Sequence, residues 1–253
     1  MNAQNGVEAI TEGKMDTIKI NKGNTKIIAH RGLSGIECEN TNAAFVAAGN
    51  RSYFGIETDT HVTKDVRFAI LHDDDLKRVA GANIKIEECK LSHVDAIRLY
   101  DKEEGVTRRD LVVPELRDYI RICKRYEKTA VLELKTYAEK EVFAKMLDEI
   151  RELGYLDNMV FISFGKSACL NIRELLPEAK VQFLTCDWTE DLIPFLKENK
   201  LDLDIHHPRL TRERIALLHE NGIEVNCFTV DDKDRAEELA SWGIDYITSN
   251  ILE

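Results

Sequence analysis

In GIETDTHVTKDVRFAILHDDD, residues 55–75, Glu57 and Asp59 stand two apart beside Ile56 in what reads as a buried strand. The apolar run Phe68 to Leu71 then ends in His72 and three aspartates. The same device recurs in IIAHRG, which ends in His30, Arg31 and Gly32, and in VLELK, which carries Glu133 and Lys135. Side chains two apart on a strand share a face, so Glu57 joins Asp59, and Glu133 joins Lys135. If these strands end at one mouth, three carboxylates crowd together there. At an effective dielectric near 20, each pair about 4 Å apart costs roughly 4 kcal/mol. A cation resolves that repulsion, and an all-oxygen set with no cysteine nearby selects a hard divalent ion, Mg²⁺ or Ca²⁺, over zinc or copper. Histidine titrates near neutrality and suits proton transfer, while the planar fork of Arg31 grips phosphate oxygens in pairs. Lys135 supplies a second fixed cation, and Gly32 lets backbone approach closely. Two imidazoles, a metal and two cations suit a phosphodiester.

Such residues need a scaffold that gathers strand ends. Short apolar runs alternate with longer segments of helical period, and KIIAH, FGIETD, AVLELK, MVFISF, VQFLT, LDLDI, EVNCFTV and DYITS read as eight strands. Leu116, Tyr119, Ile120 and Cys123 mark one helical face behind Pro114, which suits a first turn. Val142, Phe143, Met146, Leu147 and Ile150 mark another, which Gly154 stops. Gly222 and Gly243 end helices that start near Thr211 and Asp231. A doubly wound open sheet would alternate in the same way, but 253 residues is close to the length of a closed α/β TIM (β/α)₈ barrel. Only NILE follows the last strand, so an eighth outer helix is not expected. Residues 73–113 are too long and polar for a crossover and are expected to form a small insertion of short elements after the second strand. Residues 1–25 then read as an N-terminal extension and residues 26–253 as one catalytic barrel domain.

Composition narrows the partners. A chain 43% hydrophobic and 32% charged has enough apolar mass for a core, and its net charge of −11 disfavours nucleic acid and anionic membranes. The opening residues lack the basic start and apolar stretch of a signal peptide, and no run approaches the roughly 18 apolar residues of a membrane helix. A soluble cytoplasmic enzyme without membrane insertion is the expectation. Six scattered cysteines without a CxxC pair are expected to be buried reduced thiols.

HRG followed by ENTNAAF, ETDTHVTKD, HDDDLKR, VPEL, LELK and FTVDD resembles the glycerophosphodiester phosphodiesterase family, in order and spacing, from residue 26 to about residue 250. The resemblance implies a TIM barrel that hydrolyses a small-molecule glycerophosphodiester to glycerol 3-phosphate and an alcohol. It implies His30 and His72 as catalytic, Glu57, Asp59 and Glu133 as metal ligands, and Arg31 and Lys135 as phosphate contacts. It also implies that the substrate's own glycerol hydroxyl attacks first, giving a cyclic phosphate that water later opens. Cys38 stands where proline is usual, Glu115 where threonine is frequent, and Phe228, a substrate-binding candidate, where tryptophan is common.

Each residue also has a plainer reading. An acidic pair on a strand is more often a solvated edge, and one histidine more often a structural hydrogen-bonding group; their combination carries the argument. Asp73, Asp74 and Asp75 read as a solvated turn, with Asp73 able to orient His72. His61 is expected to face away from the acids, His206 and His207 to be loop structure, and Trp188 and Trp242 to be packing anchors at helical positions. Two rival functions stand beside the main one. A lysophospholipase D-like phosphodiesterase would need an exposed apolar rim, and a silent barrel that only binds a glycerophosphodiester would not need both histidines.

Overall fold

The chain runs β1 (Lys26–Ala29), α1 (Asn42–Gly49), β2 (Gly55–Val62), β3 (Phe68–Ile70), α2 (Lys77–Ala80), α3 (Leu91–Val94), β4 (Arg98–Tyr100), β5 (Thr107–Val112), α4 (Leu116–Arg125), β6 (Thr129–Leu134), α5 (Lys140–Glu152), β7 (Met159–Ser163), α6 (Lys166–Leu175), β8 (Lys180–Thr185), α7 (Leu192–Glu198), β9 (Asp202–His206), α8 (Arg212–Glu220), β10 (Val225–Phe228), α9 (Lys233–Ser241) and β11 (Tyr246–Ser249). This computed structural model describes residues 16–102, 105–136 and 138–253, so residues 1–15 of the expected extension and residues 103–104 of the insertion lie outside the described residues. Eight strands pair in parallel in the order β1-β11-β10-β9-β8-β7-β6-β2, and β1 pairs again with β2 to close the barrel. Each of the eight expected strands falls on one of these. The short β3 lengthens the wall by pairing antiparallel with β2; three residues are too few to show a period.

The helices follow their apolar stripes. On α4, Leu116, Tyr119, Ile120 and Cys123 are all buried. The Tyr119 hydroxyl donates to the Ile56 carbonyl at 2.7 Å, which pins α4 to the strand that carries Glu57. Pro114 lies ahead of the first turn rather than in it, and its carbonyl accepts from Ile70. Thr211 and Asp232 cap α8 and α9 by accepting from the backbone of Arg214 and Arg235, so the second start lies one residue beyond the expected Asp231. Among the described residues no helix follows β11; there Leu252 bridges to Ile18, and Ile18 donates to the Ile251 carbonyl.

The segment between β2 and α4 has its own small core of Leu76, Ile86, Leu91, Val94, Leu99 and Leu111, which its polar average conceals. Cys123, Cys169 and Cys227 are buried, but Cys38 and Cys89 are half-buried and Cys186 is exposed just past β8; all six are free. The buried-thiol expectation therefore fails at three positions where cysteines sit on loops or the insertion. Trp188 lies in the loop after β8, not on a helix, with the Arg214 guanidinium stacked 4.6 Å from its ring. Trp242 ends α9 and is covered in the same way by Arg235.

Just past β1 the backbone makes two consecutive left-handed steps, Arg31 at φ 53° and Gly32 at φ 74°. A Cβ on Gly32 would lie 2.7 Å from the Ala44 backbone and side chain, so α1 packs directly on this turn. Gly32→Ala is therefore expected to lose about 2–5 kcal/mol, combining a left-handed penalty of roughly 1–2 with overpacking of roughly 1–3 kcal/mol. Gly23 has φ 51° but open space around it, so Gly23→Ala should lose only the first part. Urea unfolding of both variants checks this, and equal losses would contradict the close packing of α1.

Candidate active site at the barrel mouth

Strands β2 and β6 run side by side with Asp59 opposite Glu133. Glu57, two residues before Asp59, shares its face, and the three carboxylates offer oxygens that all lie within 4.8 Å of one another. They are 3%, 1% and 8% exposed, so water screens them little. Burial and then repulsion from Asp59 and Glu133 push the Glu57 carboxyl well above its usual range. Burial and Asp59 likewise push Glu133 up to about 7. Burial would raise Asp59 too, but Arg31 and Lys135 outweigh it and hold its carboxyl low. Lys135 Nζ lies 3.0 Å from Glu133 and 3.5 Å from Asp59, and Arg31 Nε lies 3.4 Å from Asp59. Two fixed cations facing three acids leave negative charge unmatched. An all-oxygen, buried, undercompensated donor set fits a hard divalent cation.

His30 follows β1 and is oriented from across the β1–β11 seam. Asn250 donates through Nδ2 to Asp231 at 2.6 Å, which turns Asn250 Oδ1 toward His30 Nδ1 at 2.8 Å. The amide oxygen can only accept, so Nδ1 carries the proton and Nε2 keeps its lone pair. Nε2 lies 4.0 Å from Glu57. Burial, and behind it the Arg31 charge, hold His30 below its usual pKa. His72 Nδ1 lies 2.7 Å from Asp73 Oδ1, so the orienting role expected of Asp73 has its geometry here.

Arg78 ties these parts together. Its guanidinium donates to both oxygens of Asp73 and both oxygens of Glu39, at 2.7–3.1 Å. Glu39 in turn accepts from Arg31 at 3.0 Å, so one cation braces the His72 partner and the Arg31 partner together. Asn40, at φ 54°, donates to Asp59 at 2.8 Å and accepts from Thr58 at 2.7 Å.

A cavity of about 410 Å³ opens over this cluster, with His30, Arg31, Glu57, His72 and Glu133 in one wall. Phe228 lines the opposite side, with the exposed ring of Phe164 edge-on to it at 5.9 Å. His206, expected to be loop structure, ends β9 and lines the cavity, 6.0 Å from the Phe228 ring. A larger cleft of about 650 Å³ between the β1–α1 loop and the insertion includes Glu39 and Arg78 but neither histidine nor the acids. His61 does not face away: residues 57, 59 and 61 share parity. It is buried near the end of β2, where that strand pairs with β3, against the His72 carbonyl at 3.3 Å and 3.9 Å from Glu87. Asn250, Arg78 and Asp204 carry no role in the sequence reading, Asp231 only that of a helix start and His206 only that of loop structure. The one available signal was polar residues at strand ends, in LDLDI and after DYITS.

The glycerophosphoryl diester phosphodiesterase family model matches residues 30–252. A glycerophosphodiester phosphodiesterase of Bacillus altitudinis is 26% identical over 234 residues, covering 88% of this chain and 93% of that one. Among solved structures, a phosphodiesterase of Oleispira antarctica, determined in complex with the product sn-glycerol-3-phosphate, superposes with a TM-score of 0.83 at 23% identity, covering 92% and 96% of the two chains. A glycerophosphodiester phosphodiesterase of Parabacteroides distasonis gives 0.76 at 25% identity, covering 90% and 93%.

The unmatched charge has a thermodynamic signature. Glu133, raised to about 7 from 4.5, binds a proton in the folded chain that the unfolded chain has released. The stability this contributes is full below the unfolded value and lost as pH rises through the folded one. In chelator, Glu133→Gln is expected to gain in Tm on the wild type between about pH 5 and about pH 8. Added Mg²⁺ should stabilise the wild type more at the upper end. A Tm difference that is flat or shrinks over that window contradicts the charge account.

Proposed function

The chain belongs to the glycerophosphoryl diester phosphodiesterase family, and from that premise we propose how it cleaves a glycerophosphodiester to glycerol 3-phosphate and an alcohol. The observation that carries the reading is the convergence of His30, His72, Glu57 and Glu133 on one cavity, with Asp59 in the same acid cluster. Glu57, Asp59 and Glu133 would hold a divalent cation, Mg²⁺ or Ca²⁺. When bound, it supplies Lewis acidity toward the phosphoryl oxygens.

This chain's own groups do the rest. Arg31 and Lys135 match the charge that builds on the equatorial oxygens. His30 is neutral with a free Nε2, which suits it to take the proton of the attacking hydroxyl. His72, with Nδ1 held by Asp73, would give its proton to the departing alcohol oxygen. If the attacker is the glycerol hydroxyl beside the ester, a new P–O bond closes a cyclic phosphate as the P–O bond to the alcohol breaks. Water then opens the ring with the two histidines in exchanged roles. An attacker already tethered to phosphorus has the advantage of proximity.

The polar insertion and an aromatic wall confined to one side of the mouth favour a small diester over an acylated one. Coupled detection of glycerol 3-phosphate from glycerophosphocholine tests the assignment. Turnover is expected with Mg²⁺ or Ca²⁺ and lost in EDTA. His30→Ala and His72→Ala should each lose about 10²–10⁴-fold at any metal concentration, whereas the loss in Asp59→Ala should ease with excess metal. Turnover that survives EDTA, or near-native rates in either histidine variant, contradicts the mechanism.

A further inference from the structure

Asp204 lies on β9, four strands round the barrel from β2 and thus across it from Glu57 and Asp59. It is 1% exposed yet borders the catalytic cavity. One of its oxygens is satisfied: Oδ2 accepts from Asn226 Nδ2 at 2.9 Å. The other, Oδ1, is buried with no hydrogen-bond partner. Asn226 cannot turn to serve it, because its amide also donates to Gln182 at 3.3 Å and accepts from Thr248 at 3.3 Å. A buried carboxyl oxygen left alone is costly, and a fixed polar atom at a cavity wall marks where a ligand atom completes the bond.

The surroundings restrict what that atom can be. Arg31 and Lys135 stand on the far side with the acid cluster, and the charge that acts most on Asp204 is the anionic Glu133. A phosphate is therefore disfavoured there. Burial, and after it the Glu133 charge, push the Asp204 carboxyl well above its usual range, which also disfavours an ammonium. A hydroxyl donates and accepts, so it suits the carboxyl in either protonation state.

We propose that Asp204 Oδ1 seats the terminal hydroxyl of the substrate's glycerol arm and so selects diol-bearing diesters over those that lack that hydroxyl. The inference rests on the hydrolytic reading above. With the phosphate held between Arg31 and the acids, the hydroxyl beside the ester is left to attack, and the terminal one reaches across the barrel to β9. Asp204 is then a specificity residue rather than a proton carrier.

The test compares glycerophosphoethanolamine with its counterpart bearing a 2-hydroxypropyl group in place of the dihydroxypropyl group, which keeps the attacking hydroxyl and loses the terminal one. Wild type is expected to favour the diol by about tenfold or more in kcat/KM. In Asp204→Leu the preference should fall to near one through loss on the diol alone, and Asp204→Asn, which can still hydrogen-bond, should keep most of it. Calorimetric binding of glycerol 3-phosphate against 2-hydroxypropyl phosphate, with Mg²⁺ present, should show the same pattern without turnover, which separates failure of this proposal from failure of the hydrolytic reading. An unchanged preference in Asp204→Leu, equal losses on both ligands, or a loss that follows the ethanolamine head group would overturn it.

Discussion

Three carboxylates, drawn out of water onto adjoining strand ends and held within 4.8 Å of one another, are the constraint around which the barrel mouth is organised. No arrangement of Arg31 and Lys135 alone neutralises them, so the folded chain must retain a proton or bind a cation. The same condition accounts for the opposite behaviour of neighbours in this cluster: Asp59, which pairs with both Arg31 and Lys135, stays acidic, while Glu57 and Glu133 are pushed up. A single mixed environment thus divides three like groups into two kinds.

The insertion is part of this organisation rather than an appendage. Its small core holds α2 against the barrel, and α2 carries Arg78. From there Arg78 spans Glu39 of the β1–α1 loop and Asp73 beyond β3. Because Glu39 also pairs with Arg31, and Asp73 with His72, the Arg31 guanidinium and one imidazole share a single brace. Lattices of this kind are rigid only when every member is present.

Much of this was legible in the sequence wherever burial and charge conflict. Glu57, Asp59 and Glu133 stood out because strands seldom carry carboxylates inside apolar runs, and strand parity gave their shared face. The helix faces of α4 and α5 were equally plain, since apolar residues at helical spacing have few other uses. What stayed hidden depends on contacts across long stretches of chain. Arg78 is an ordinary surface residue type until the fold pairs it with Glu39, and Asn250 reads as a loop residue until the last strand lies beside the first. The inward layer of Gln182, Asp204 and Asn226 alternates with apolar residues in the usual way, but polarity on the side facing a barrel interior cannot be told from polarity facing solvent. The miscount at His61 has a different origin, since parity alone gives the correct face.

The seam between β1 and β11 separates two properties of the centre. The acids come from β2 and β6, which pair with each other on the opposite flank of β1 from that seam, whereas His30 takes its tautomer from Asn250 across it. Four residue pairs, flanked by backbone bonds from Lys26 to Asp245, His30 to Ser249 and Gly35 to Asn250, hold this edge together. A molecule breathing open there would keep its acid cluster intact while the His30 imidazole swung free, so the integrity of the cluster and the placing of the imidazole are distinct readings of how completely the cylinder has shut.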